Sequence, residues 1–335
     1  MKTLFKKIIL ELGKNLSTDW LNELSKIKLI VPLFHIITDR NAPHIKHLYK
    51  VKTINQFNND LEYLLKFYNP ISYDDFSTSL NHKRGNKPSM LLTFDDGLKE
   101  FYTIISPILI RKGIPAICFL NSDFIDNKSL FYRYKVSLLI ETIQTKNLHR
   151  KILSEFPSVF NGKTSIKDTM LALKYMDRFL LDKIANVIGF NFASYLQIEQ
   201  PYLNSIQIKE LIKQGFHFGA HSLDHPRFSE ISLQNQILQT KNSIETICNQ
   251  FNLHYKAFAF PFSDRGVKDD FYFEIYKNIA DFSFGTSGLK IDRFARNIHR
   301  VSFENINYNT KTIINSEIIK TMMWSLMGKN KIIYE

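Results

Sequence analysis

Two adjacent carboxylates, Asp95 and Asp96, close an apolar run (Ser89-Met90-Leu91-Leu92-Thr93-Phe94) and are followed by Gly97. Like charges side by side are costly near a core unless a cation or hydrogen-bond donors hold them. Successive strand residues point to opposite faces, so the pair can do two jobs if the strand ends or turns there, and Gly97 permits the turn. Asp-Gly is equally a common turn signal. Further along, His221 and His225 follow a second short apolar run, Phe216-His217-Phe218-Gly219-Ala220. Their four-residue spacing would set both imidazoles on one side of a helical turn. Two histidines and a carboxylate suit a hydrolytic metal centre with positions left for water and substrate. Taken alone, the histidines also read as surface or turn residues. Both pairs follow strand-like runs, and in parallel α/β sheets the strand ends of one edge converge.

The elements that must position these groups can be read in order. Residues 29–37 form the first strong strand candidate, with His35 near its end; His44 and His47 follow without metal-ligand spacing. A helix over 53–67 buries Phe57, Leu61, Leu64 and Leu65 and stops at Asn69-Pro70. A short strand and helix start over 72–80 and a polar turn over 81–87 precede the strand that reaches Asp95. Residues 98–111 form a helix with Phe101, Ile105 and Leu109 inward and an irregularity near Pro107. A strand over 114–120 completes a βαβ unit, so the sheet is at least partly parallel. Residues 126–199 read as several helices inserted into the α/β domain, broken at Phe156-Pro157 and Asn161-Gly162. The α/β pattern returns with a helix over 204–215, and residues 312–327 form an amphipathic C-terminal helix. The organisation expected is an N-terminal amphipathic segment over 1–28, an α/β domain over 29–125 and 200–310, the 126–199 insertion, and a C-terminal helix over 311–335.

At 335 residues the chain can build one large domain with an insertion. Lys and Arg number 44 against 32 Asp and Glu, a formal net charge of +12 that suits an anionic neighbourhood: a membrane face, nucleic acid or an acidic polymer. The basic residues are dispersed and no nucleic-acid-binding motif is present, which argues against nucleic acid as a partner. Cys118 and Cys248 are too few for a disulfide framework. At the N-terminus Leu4, Ile8, Leu12 and Leu16 lie at helical spacing beside several lysines. Glu11 interrupts the apolar run and no small-residue cleavage site follows, unlike a signal peptide. Such a helix packs on the protein's own core or rests on a membrane surface. The expected location is the cytoplasm, with peripheral membrane contact as the alternative.

Thr93-Phe94-Asp95-Asp96-Gly97 together with His221-Ser222-Leu223-Asp224-His225-Pro226 resembles the first two motifs of the polysaccharide deacetylases, the NodB-homology carbohydrate esterases. The likeness spans about 29–123 and 202–304 and leaves the helical insertion unmatched. It implies a distorted, incomplete (β/α) barrel and a metal-dependent hydrolase that removes an acetyl group from an N-acetylated amino sugar, lipid-linked or part of a surface glycan. Asp96, His221 and His225 would hold a divalent metal, zinc first, with cobalt or nickel as alternatives. Asp95 would be the general base, and a tyrosine or backbone donors beyond Gly97 would hold the oxyanion. Pro261 and Phe262 would line the substrate groove. The chain departs from the family in two places. Phe258-Ala259-Phe260 stands where many members carry an arginine that orients the base, so Arg300 is the substitute. The C-terminal Leu-x-His motif that supplies a general acid is missing, so His35 is the candidate acid. These departures motivate a second reading, a non-catalytic glycan- or partner-binding protein that has kept the metal site; the retained Asp95 argues against it.

Overall fold

The computed structural model of the chain describes residues 2–78, 87–160 and 164–332. Its centre is an eight-stranded sheet. Strands Pro32–Phe34, Leu92–Phe94, Ala116–Leu120, His217–Ala220, Ala257–Ala259 and Phe282–Gly285 lie side by side in chain order, all parallel. The last segment joins the two edges: Asn297–His299 pairs with Phe282–Gly285, and Val301–Ser302 pairs with Pro32 and Leu33. Only Arg300 separates these halves, so the sheet curls into a nearly closed barrel whose seam is Arg300. Both faces of the strands are apolar, as parallel strands covered on both sides require. Leu92, Phe94, Cys118 and Phe258 pack outward against the helices, while Leu91, Ile117, Phe119 and Phe284 fill the interior.

The helix after Asp95-Asp96-Gly97 opens as a π-helical turn, Phe101–Ile105, and becomes α-helical over Ser106–Lys112, with Pro107 at the junction. Proline lacks the N–H that a regular helix interior would need there. The expected strand and helix start over 72–80 is a helix, Tyr73–Thr78, preceded by the two-residue strand Asn69–Pro70. Most of the expected turn over 81–87 lies outside the described residues, as does the Asn161-Gly162 break.

The segment 126–199 folds into helices Tyr132–Thr145, His149–Glu155, Ile166–Ala172, Arg178–Ile188 and Phe192–Glu199. Their core, built on Val136, Leu139, Ile140, Leu181 and Ile184, is continuous with Ile36, Ile45, Leu98 and Tyr202 from the loops of the barrel. The insertion therefore sits on the carboxyl ends of the strands.

The C-terminal helix, Thr310–Leu326, is less one-sided than the amphipathic helix expected over 312–327. Ile313, Ile314, Asn315, Ser316, Ile318 and Ile319 are all buried, because the barrel covers one side and helices Lys2–Asn15 and Thr18–Ser25 cover the other. The approach is close: a Cβ on Gly13 would stand 2.4 Å from Ser316 Oγ. Buried Asn315 ties the three helices together, donating to the carbonyls of Gly13 and Leu16 (both 3.0 Å) and accepting from Thr18 Oγ1 (2.8 Å). No helix of the described residues is long and apolar enough to cross a membrane.

Candidate metal and catalytic site

Asp95 continues the Leu92–Phe94 strand, its N–H donating to the Phe34 carbonyl at 3.0 Å. The chain then turns sharply: Asp96 has φ +70° and Gly97 φ +61°. A Cβ at Gly97 would also stand 2.6 Å from Leu120 Cδ2, so the position needs glycine for space as well as for conformation. The turn sends the two carboxylates to different partners. Arg300 Nη1 and Nη2 donate to Asp95 Oδ1 and Oδ2 at 2.6 and 2.9 Å, a bidentate pair with both side chains buried. Tyr134, from the first helix of the insertion, donates its hydroxyl to Asp96 Oδ2 at 2.9 Å.

His221 follows the His217–Ala220 strand. Its Nδ1 lies 2.9 Å from the Ala259 carbonyl, which can only accept, so Nδ1 carries the proton and Nε2 keeps its lone pair. That nitrogen faces Asp96 Oδ1 at 3.6 Å and Asp95 Oδ2 at 3.8 Å. His225 Nε2 is 3.2 Å from Asp96 Oδ1. The expected helical turn between the histidines is absent. The chain loops, with Ser222 and His225 both at positive φ (+68° and +64°), and it is the loop that brings the two rings to 4.8 Å. The Ser222 hydroxyl accepts from the His225 N–H (3.0 Å), and Asn121 donates to the His221 carbonyl. Phe131 and Phe262 wall the His225 ring at centroid distances of 4.2 and 4.7 Å. Phe262 is itself at φ +57°. Non-glycine residues held at positive φ are costly, and four of them (Asp96, Ser222, His225 and Phe262) belong to this one site.

Burial works against charge on both carboxyls but is outweighed: the Arg300 guanidinium, first of all, holds Asp95 below the usual carboxylate range, and the imidazoles beside Asp96, His225 and His35, hold it well below that range. Burial lowers His221 to about 4, which keeps the imidazole neutral and ligand-ready. Ligand atoms of Asp96, His221 and His225 all lie within 4.8 Å of one another. Asp96 Oδ1 and His221 Nε2 are buried without any hydrogen-bond partner. Orphaned buried acceptors aimed at one point are costly unless a cation satisfies them, so the donor set fits a divalent metal. A second group, Asp264, Asp292 and His299, is equally compact but already satisfied. His299 Nε2 donates to Asp292 (2.7 Å), the Ser287 N–H donates to His299 Nδ1 (3.3 Å), and Asn297 donates to Asp264 (3.2 Å).

The other sequence candidates are spread around this centre. His35 follows the Pro32–Phe34 strand, with Nδ1 2.7 Å from Glu304 Oε1. Burial lowers its affinity for protons, but Glu304 together with Asp96 and Asp95 raises it to about 10, so the ring is cationic at neutral pH. Phe262 lies against the metal trio with the Arg227 guanidinium 4.6 Å from its ring, and Pro261 is buried beside it. The Gly97 carbonyl accepts from the Leu203 N–H at 2.8 Å. Sequence reasoning missed Tyr134 and Phe131. The aromatic run Phe131-Tyr132-Arg133-Tyr134 at the head of the insertion was the available signal.

A sequence model described as polysaccharide deacetylase matches residues 82–155 and 168–276, more than half of the chain. The chain belongs to the polysaccharide deacetylase family. Contrary to the expectation that the insertion lies outside the likeness, the match runs through much of it, and Phe131 and Tyr134 fall within the matched stretch. Among solved structures, the Streptococcus pyogenes deacetylase PplD in complex with acetate superposes with a TM-score of 0.55 at 16% identity, over 87% of this chain and 98% of that one. IcaB from Ammonifex degensii gives 0.53 at 14% identity, over 87% and 97%. A de-N-acetylase from Aggregatibacter actinomycetemcomitans gives 0.53 at 14%, over 86% and 99%. These likenesses establish the deacetylase barrel fold. No curated protein matches the chain.

Proposed function

We propose that this family member is a metal-dependent hydrolase that removes the acetyl group from an N-acetylated amino sugar. The observation that carries the reading is the division of labour at one strand end. Asp95 is ionised, buried and gripped by Arg300, while its neighbour Asp96 turns away to join His221 and His225. A binding site alone gains nothing from a second buried carboxylate with its own counter-ion, which favours catalysis over the glycan-binding alternative.

A divalent ion held by Asp96, His221 and His225, zinc by first choice and cobalt or nickel otherwise, would acidify a water molecule and polarise the acetamide carbonyl. The rest falls to the chain's own groups. Asp95 takes a proton from the attacking water; Arg300 fixes both of its oxygens and keeps it ionised between turnovers. Burial of the pair excludes competing solvent. His35, charged at neutral pH, is the group able to return a proton to the departing amine, so that acetate and a free amino sugar leave. Phe262 and Phe131 keep the His225 ring in place.

The test is acetate release from N-acetylglucosamine oligomers by protein loaded with zinc. Asp95→Asn should retain bound metal and lose turnover, whereas His221→Ala should lose both. Acetate release by Asp95→Asn at the wild-type rate would overturn the assignment of the base.

A further inference from the structure

Next to Arg300 lies a groove of about 1040 Å³. It is built from the segments that follow the Ala257–Ala259 and Phe282–Gly285 strands, from Arg300 to Ser302, and from one side of the C-terminal helix with the residues after it. It touches the centre twice: Arg300, which grips Asp95, is part of its wall, and Ser263 in the wall follows Phe262, whose ring rests on His225.

Its charge is one-sided. Arg265, Lys290, Lys320, Lys329 and Lys331 line it. Of the acids in the wall, Asp264 is buried and bonded to Asn297 and the Thr286 N–H, and Glu317 is paired with Lys320. Among the described residues, Arg265, Lys290, Lys329 and Lys331 have no carboxylate within ion-pair distance. The Lys290 and Lys320 ammonium groups lie 4.3 and 5.0 Å from the centroid of the half-buried Trp324 ring, which holds both cations at the groove. Like charges crowded into a concave wall repel one another and raise the local concentration of anions.

We propose that this groove binds the charged neighbour of the acetylated sugar, and that the substrate is an acidic glycan in which the N-acetylated residue stands next to a carboxylate-bearing sugar. The proposal rests on the deacetylase reading of the adjoining centre. With the acetamide at Asp95, the next residue of a chain lying over the Arg300 seam enters the groove. There lysines, as point charges, meet its carboxylate, and the Trp324 edge meets its ring. A neutral glycan would leave the cations unmatched.

The experiment is calorimetric binding to zinc-loaded Asp95→Asn protein, so that no turnover intervenes. A hyaluronan tetrasaccharide (alternating N-acetylglucosamine and glucuronate) is compared with neutral chitotetraose. The acidic oligomer should bind about tenfold more tightly at low salt, since several exposed ion pairs, each weak, together amount to an order of magnitude. The advantage should fall as salt is raised. It should vanish in a Lys290→Gln/Lys329→Gln/Lys331→Gln protein whose affinity for chitotetraose is unchanged. Equal affinity for the two oligomers, or a preference that survives the triple substitution, overturns the proposal. Binding to phosphatidylglycerol vesicles without affinity for the acidic oligomer also overturns it and assigns the groove to a membrane. The two readings fail separately. A charge-dependent preference without acetate release from any N-acetyl sugar by the wild type refutes the deacetylase and leaves the groove; acetate release without a preference refutes the groove alone.

Discussion

Arg300→Met is the most informative single substitution, because it removes one half of a buried pair and leaves the other. Arg300 and Asp95 are both almost wholly buried and joined by hydrogen bonds of 2.6 and 2.9 Å, and the methionine approximates the aliphatic stem of the arginine. An uncompensated carboxylate in such a place costs about 3–5 kcal/mol of stability. The cost should depend on pH in a defined direction. In the wild type Asp95 is held below the ordinary 3.8, so the stability it lends is present above that value and is lost as pH falls through the lower, folded-state one. In Arg300→Met, burial prevails and pushes the carboxyl up, so the folded protein takes up a proton more readily than the unfolded chain. The deficit against wild type, measured by urea unfolding, should therefore shrink between pH 7 and pH 5. The acid limb of kcat/KM should move to higher pH in the same variant. Arg300→Met/Asp95→Asn removes both charges and should recover most of the lost stability, since neutral replacements of a buried pair are often harmless. Arg300→Lys keeps the charge but not the fork, and should fall between. A pH-independent deficit, or a double variant no more stable than the single one, would refute the account of Arg300 as the counter-ion of Asp95.

Tyr134→Phe deletes only the hydroxyl that bonds Asp96 and should weaken zinc affinity about 10–100-fold, read by chelator competition with the circular dichroism spectrum unchanged; undiminished affinity would make Tyr134 a packing residue. His35→Gln should lower kcat by about 10²–10⁴-fold with little change in KM if the ring returns the proton. The same variant tests linkage: His35 is raised from 6.5 to about 10, so the stability its protonated form gains from Glu304 is full below 6.5 and is lost as pH climbs to 10. The stability gap between wild type and His35→Gln should close over that range. Gly97→Ala meets both the positive φ and the Leu120 side chain and should cost about 1–3 kcal/mol in thermal or urea unfolding.

What could be read from the chain divides along the reach of the forces involved. The Asp95-Asp96-Gly97 turn is local: two carboxylates, a glycine and an apolar run are contiguous, and the turn that separates the carboxylates needs nothing distant to be inferred. The parallel barrel is legible for a related reason, since doubly buried strands and the helices between them carry their own periodicity. The loop from His221 to His225 is legible in its residue types but not in its shape. A four-residue spacing suggests a helical turn, whereas the positive φ of Ser222 and His225 is enforced by Asn121 and by the Phe131 and Phe262 rings, none of which is a sequence neighbour. Arg300 stands between these cases. Strand alternation says that it and His299 face opposite ways, and in the structure His299 goes to Asp264 and Asp292 while Arg300 goes to Asp95; but only closure of the barrel at residue 300 places that side chain opposite a carboxylate 205 residues away. Tyr134 is marked in the sequence only as part of an aromatic run, because its partner is fixed by how the insertion docks, and docking depends on a hydrophobic core that mixes residues 130–202 with Ile36, Ile45 and Leu98. The same fact has a functional consequence. Asp96 is held on one oxygen by the insertion, and His225 is walled by one ring from the insertion and one from the barrel. The geometry a bound metal would meet is therefore shared between two packing units, and loosening the insertion would loosen Asp96 and His225 even with both residues still in the chain.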